Sequence, residues 1–208
     1  MELSELTVRS FANLLGSDAP APGGGSAAAL AGSLGAALAA MVSALTLGRK
    51  KYADFQELAQ SGFERGSALK DELLEAMERD TAVFNDFSAA MALPKETPEE
   101  KEARSAAMQK ALALCIESPL RVMELSFETM KLTNELLGKT NANALSDLGV
   151  SALMLGTAVQ GAWLNVLINL GGLKDEAAAN AYRTKGETLL NDTLNLSRDV
   201  YEKIVQAM

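Results

Sequence analysis

Histidine is absent from this 208-residue chain, cysteine occurs once, and proline five times. Without histidine, Ser-His-Asp and Cys-His nucleophile systems and the usual zinc and iron sites are excluded together. Any proton transfer then falls to Asp, Glu, Lys, Tyr or Cys. The single Cys115 rules out an intramolecular disulfide and reads as a small core residue. No charged n-region with apolar h-region and cleavage site opens the sequence, so a cytoplasmic protein is expected. Basic charge is also scarce: 19 Lys and Arg against 27 Asp and Glu give a net charge of -8, which argues against a nucleic-acid partner. Aromatic residues are 5% and hydrophobic residues 48%, a composition expected of a soluble, Ala-rich helical protein with one domain over residues 1–208.

Alternating strand patterns, internal repeats and low-complexity tails are missing as well, while helical periodicity is plentiful. A short amphipathic helix through Val8, Phe11, Leu14 and Leu15 ends near Gly16, and a Pro/Gly loop follows. Long helices are expected over about residues 26–47, 52–91, 97–137, 145–170 and 175–206. Gly62 and Gly66 are expected to loosen the first half of the second of these. Thr97, Pro98 and Glu100 form a capping-box start signal, and Leu93-Pro94 a stop. Pro119 is expected to kink its helix or divide it in two. Helices this long joined by short loops imply an all-α, up-and-down antiparallel bundle.

Two segments, at residues 19–48 and 148–173, carry almost no charge and are long enough to span a bilayer. In the first, Leu30, Leu34, Leu38, Met41 and Leu45 form one helical stripe, and Ala28, Gly32, Gly35, Ala39 and Ser43 another roughly opposite. That pattern predicts a bundle helix enclosed on both sides, not a membrane span. The "PAPGGGS" lead-in lacks the Lys-Ser or Lys-Thr of a phosphate loop and the preceding strand of a dinucleotide fingerprint. Gly23, Gly24 and Gly25 therefore either turn the chain into a close-packed helix or offer free amides, with Ser26, to an anionic or carbonyl-bearing ligand.

The heptad-spaced stripe Leu69, Leu73, Met77, Asp80, Phe84, Phe87, Met91 places one carboxylate at a core position. Asp80 must be ion-paired with a buried cation, face a cavity, or have its pKa raised by desolvation. Asn165 and Asn169 share a side with Gly161 in the second uncharged helix, where amides bond to neighbouring helices or read a heteroaromatic ligand. Asp147 sits where an acid matches a helix dipole, and Arg49, Lys50 and Lys51 sit past a helix C-terminus, where cations do. The alternative for the cluster is a landing site for an anionic ligand tail.

The sequence "PAPGGGSAAALAGSLGAALAAMV", with "GRKKY", "DTAVF", "LPKETPEEKEAR", "SPL", "TNANALSDLGV" and "NVLINL", closely resembles the formimidoyltetrahydrofolate cyclodeaminase/methenyltetrahydrofolate cyclohydrolase family over nearly the whole chain. Arg49 stands where the family pattern often has lysine. With no formimidoyltransferase portion in these 208 residues, a stand-alone cyclodeaminase-type domain is expected. The resemblance implies an all-helical homodimeric enzyme, a lyase or hydrolase of one-carbon metabolism, acting on a tetrahydrofolate derivative without metal or other cofactor. It implies Asp80 as the catalytic aspartate. It further implies Gly23, Gly24, Gly25, Ser26, Asn143, Ser146, Asp147, Asn165 and Asn169 as pterin or linkage contacts, and Lys50 and Lys51 as contacts to the glutamate tail. The competing expectation is a helical scaffold that kept the fold and lost the chemistry.

Overall fold

The computed structural model describes residues 2–208, and six α-helices carry the fold: α1 (Val8–Leu15), α2 (Gly24–Ala44), α3 (Gln56–Met91), α4 (Pro98–Leu136), α5 (Leu145–Leu170) and α6 (Glu176–Ala207). Short 3₁₀ turns precede α1, α3 and α5. Local chemistry sets the ends. The Thr97 hydroxyl accepts from the Glu100 amide while the Glu100 carboxylate accepts from the Thr97 amide, so the capping box is complete. Asp175 caps α6 through the Ala178 amide. Gly48 and Gly138, after α2 and α4, take positive φ of 71° and 75°, a conformation that favours glycine.

Successive long helices run antiparallel, as the pairings Gly32 with Leu73, Cys115 with Val83, Thr133 with Ser151 and Gly149 with Ile204 require. Helices α2 to α5 close a four-helix ring, with α2 against both α3 and α5, and α6 lies outside on α4 and α5. The fully buried side chains Leu73, Met77, Ile116, Met123, Leu125, Leu148 and Leu155 fill its centre.

The small-residue stripe of α2 explains how closely these helices approach. A Cβ on Gly66 of α3 would stand 3.0 Å from the Ala40 backbone nitrogen, and one on Gly35 would stand 2.8 Å from Leu155 Cγ. Gly62 and Gly66 therefore seat α3 on α2, and α3 runs unbroken through both. Replacing Gly66 with Ala is expected to lower unfolding stability by about 1–3 kcal/mol through overpacking, despite the better helix propensity of alanine. Urea melts would measure it.

Three further features differ from the sequence expectations. The small face of α2 is enclosed, but its bulky face is not: Leu34 is 50% exposed, and Met41 and Leu45 are exposed too. The stripe on α3 leaves the core after Met77: Phe84 is exposed and lines a cavity with Asp80 and Phe87, and Met91 is exposed as well. Pro119 does not divide α4, which is one helix from Pro98 to Leu136. Two helices, Gly24–Ala44 and Ala142–Leu170, are long and apolar enough to cross a membrane; here their small faces pack together inside the bundle.

Candidate active site

The first turn of α2 has free amides and no side chain of its own to cap them, since its N-cap is Gly23. Asp80 supplies the cap from α3. The Ser26 hydroxyl donates to Asp80 Oδ2 at 2.9 Å, and the Ser26 backbone amide also favours the charged carboxylate. Burial works the other way and prevails, so the Asp80 pKa is raised above its ordinary value. No Lys or Arg pairs with it among the described residues. The buried ion pair is thus replaced by a helix N-terminus, and the carboxylate faces a cavity.

Of the three glycines, Gly25 is the one that the packing requires to lack bulk. None of Gly23, Gly24 and Gly25 has a positive φ, so a strained turn is not the reason for them. A Cβ on Gly25 would overlap Asp80 Oδ1 and stand 2.6 Å from Asp80 Cγ. The carboxylate can reach the helix end only because residue 25 has no side chain.

The cavity has a volume of about 250 Å³. Its walls come from the loop at Pro20 and Ala21, the three glycines of α2, Asp80, Thr81, Phe84 and Phe87 of α3, Cys115 of α4, and Asn165 and Asn169 of α5. Cys115 Sγ donates to the Val83 carbonyl at 3.5 Å. Burial, with Asp80 and Asp86 nearby, pushes its pKa up to about 11, so the thiol stays neutral and is a poor nucleophile. Asn165 Nδ2 donates to the Gly161 carbonyl at 2.9 Å. Asn169 Nδ2 donates to the carbonyls of Asn165 at 2.8 Å and Cys115 at 3.1 Å.

The expected site residues fall into two groups. Gly23, Gly24, Gly25, Ser26, Asp80, Asn165 and Asn169 meet at one end of the bundle. Lys50, Lys51, Asn143, Ser146 and Asp147 lie at the other, beyond the 21 residues of α2, a separation of about 30 Å. There the Asn141 amide donates to Thr46 Oγ1 and the Ala142 amide to the Tyr52 hydroxyl, tying the "TNANALSD" segment to the chain around the basic cluster. Arg49 is spent on the Leu45 carbonyl at the end of α2, whereas Lys50 and Lys51 are exposed and enter no ion pair among the described residues. Asp147 lies in the first turn of α5, the dipole-matching position. Sequence reasoning missed Thr81 and Cys115 as cavity wall and took Phe84 and Phe87 for core; no local signal marks a lining residue.

A family model described as Formiminotransferase-cyclodeaminase matches residues 7–188. The chain belongs to that family. Among its curated relatives, the methenyltetrahydrofolate cyclohydrolase of Methylorubrum extorquens is 37% identical over 198 residues, 95% of each chain. The formimidoyltransferase-cyclodeaminase of Rattus norvegicus is 35% identical over 91% of this chain, which spans only 35% of that longer protein. The crystal structure of formiminotetrahydrofolate cyclodeaminase from Thermotoga maritima superposes with a TM-score of 0.81, covering 99% of this chain and 96% of that one at 23% identity; the shared all-helical bundle is the family fold.

Proposed function

We propose that this family member is an enzyme that interconverts one-carbon forms of tetrahydrofolate in the cytoplasm, with Asp80 as its proton-transfer group. The observation that carries the reading is a half-buried carboxylate without a cation partner, held by Ser26 on a cavity wall, with its pKa raised above the ordinary aspartate value by desolvation. In cyclising deamination, N10 attacks the formimidoyl carbon of 5-formimidoyltetrahydrofolate whose formimidoyl group is protonated as the amidinium. Asp80 takes the N10 proton and returns it to the departing nitrogen, and ammonia leaves with 5,10-methenyltetrahydrofolate. In hydrolysis, water adds to the methenyl carbon and releases a proton. The hydroxyl proton then passes through Asp80 to N5 as the C–N5 bond breaks, giving 10-formyltetrahydrofolate. Both reactions work on the carbon between N5 and N10, and a carboxylate beside it stabilises the methenyl cation. No further cofactor is required by either.

Purified protein given 5,10-methenyltetrahydrofolate is expected to deplete its near-ultraviolet absorbance faster than an enzyme-free control, or to generate that absorbance from 5-formimidoyltetrahydrofolate. Folded protein that turns over neither would replace this reading with a helical scaffold.

The cavity is smaller than the roughly 300–1,000 Å³ of pockets that enclose drug-sized ligands, so it takes one end of the folate and the glutamate tail lies outside. Lys50 and Lys51 are too far away in the same subunit to meet it. The adjacent helices α2 and α5 leave Leu34, Met41, Leu45, Val150, Leu153, Leu164 and Ile168 exposed, an apolar surface suited to a second copy. A two-fold axis perpendicular to α2 brings the lysine end of one protomer beside the Asp80 cavity of its partner, and this homodimer is part of the proposal. Mixing an Asp80→Asn protein with a Lys50→Ala/Lys51→Ala protein is expected to restore activity that each lacks alone. No restoration, with subunit exchange verified, would place each site within one subunit.

A further inference from the structure

Proline within α4 poses a bookkeeping problem whose solution lies at the cavity. In an α-helix the amide of residue i donates to the carbonyl of residue i−4, and proline has no amide. Pro119 therefore leaves the Cys115 carbonyl without its helical donor. Yet α4 continues through this point, and a buried carbonyl without a partner is costly. The missing donor comes from another helix: Asn169 Nδ2 of α5 lies 3.1 Å from the Cys115 carbonyl oxygen.

That bond also fixes the chemistry of Asn169. A carbonyl oxygen can only accept, so the side of Asn169 facing Cys115 and the Asn165 carbonyl must be its NH₂ group. Both amide hydrogens are committed. No donor among the described residues reaches Asn169 Oδ1, and the residue lines the cavity. An asparagine that could otherwise present either end is held as an acceptor.

We propose that Pro119 is a positioning residue for substrate: by freeing the Cys115 carbonyl it anchors the Asn169 amide, which sets Asn169 Oδ1 to accept a hydrogen bond from an N–H group of the bound ligand. This deepens the folate reading and rests on it for the ligand, since a reduced pterin carries several ring and exocyclic N–H donors. The anchor itself is a property of the protein alone. Cys115 thereby ties its own helix α4 to two others, through its thiol to Val83 of α3 and its carbonyl to Asn169 of α5.

In Pro119→Ala, the new amide at 119 reclaims the Cys115 carbonyl and competes with Asn169. Three readouts test this. In the ligand-free protein, the Asn169 side-chain amide is expected to shift in a ¹⁵N correlation spectrum and to exchange faster with solvent. The KM for 5,10-methenyltetrahydrofolate is expected to rise roughly 2- to 10-fold, the size of one neutral hydrogen bond, with kcat little changed. In an Asn169→Leu background, which has already lost the acceptor, the same proline replacement is expected to leave KM unaltered. An unshifted Asn169 resonance in Pro119→Ala overturns the anchor whatever the protein's substrate. A KM unchanged by Pro119→Ala, or raised equally in the Asn169→Leu background, overturns the positioning role. If wild type turns over no folate, the proposed reaction fails, and the amide spectrum still decides the anchor.

Discussion

Asp80→Asn is expected to lower turnover of either folate substrate by about 10²- to 10⁴-fold, the range for removing a positioned general acid or base, while leaving the protein folded and at least as stable at neutral pH. The two halves of that result have separate causes. Asparagine neither takes nor returns the proton that must move among N5, N10 and the departing group. It does satisfy the end of α2, because Oδ1 can accept from the Ser26 amide and Nδ2 can donate to the Ser26 hydroxyl.

The stability half follows from the direction of the Asp80 shift. Burial raises its folded pKa above the unfolded value, against the opposing pull of Ser26, so at pH between the two the native state binds more protons than the unfolded state. Stability then falls as pH rises through that window and stays lower above it. A neutral asparagine escapes the loss. The variant is expected to gain on wild type at neutral pH and to converge with it as pH falls below about 4, the ordinary aspartate range. Thermal melts across pH check this, and retained activity in Asp80→Asn would remove Asp80 from the mechanism.

Gly25→Ala is the second large effect, and it arises without touching a reactive group. The added methyl would overlap Asp80 Oδ1 and crowd Oδ2 at 2.7 Å. The carboxylate is the mobile end of its side chain, so it moves rather than the helix, and it gives up its 2.9 Å bond from Ser26. Activity is expected to fall by about 10²-fold or more, approaching the loss in Asp80→Asn. Stability should change less, because better helix propensity offsets up to about 1 kcal/mol of the lost cap. The neighbouring positions grade the effect. A Cβ on Gly24 stands at an ordinary 3.6 Å from Asn165 Nδ2, and one on Gly23 meets nothing within 4 Å, so activity should decline least for Gly23→Ala and most for Gly25→Ala. Equal losses at all three positions would mean that the loop, and not the seat of the carboxylate, sets the rate.

Some of this was legible in the sequence. Helix bounds were, because they are local: the capping box at Thr97, the glycines after α2, α4 and α5, and the apolar spacing of α5 are written within a turn or two of where they act. Asp80 was legible as a carboxylate in an apolar stripe. The solvent side of α2 was not, because a stripe of leucines reads alike whether another helix of the same chain or another molecule covers it. The division of the expected site residues between two ends of the bundle was equally hidden, since glycine loop and lysine cluster are close in sequence while a whole helix separates them in space.

By itself, then, the sequence determined the helices, their order and the residue types on hand: one carboxylate in a core stripe, two asparagines a turn apart, and no imidazole. The tertiary structure alone decided which of them meet. Ser26 and Asp80 are 54 positions apart, and so are Cys115 and Asn169. Each contact depends on the axial register of two helices to within a fraction of a turn, and register is set by the sum of many packed side chains and close backbone approaches between helices. No short stretch of the chain encodes that sum.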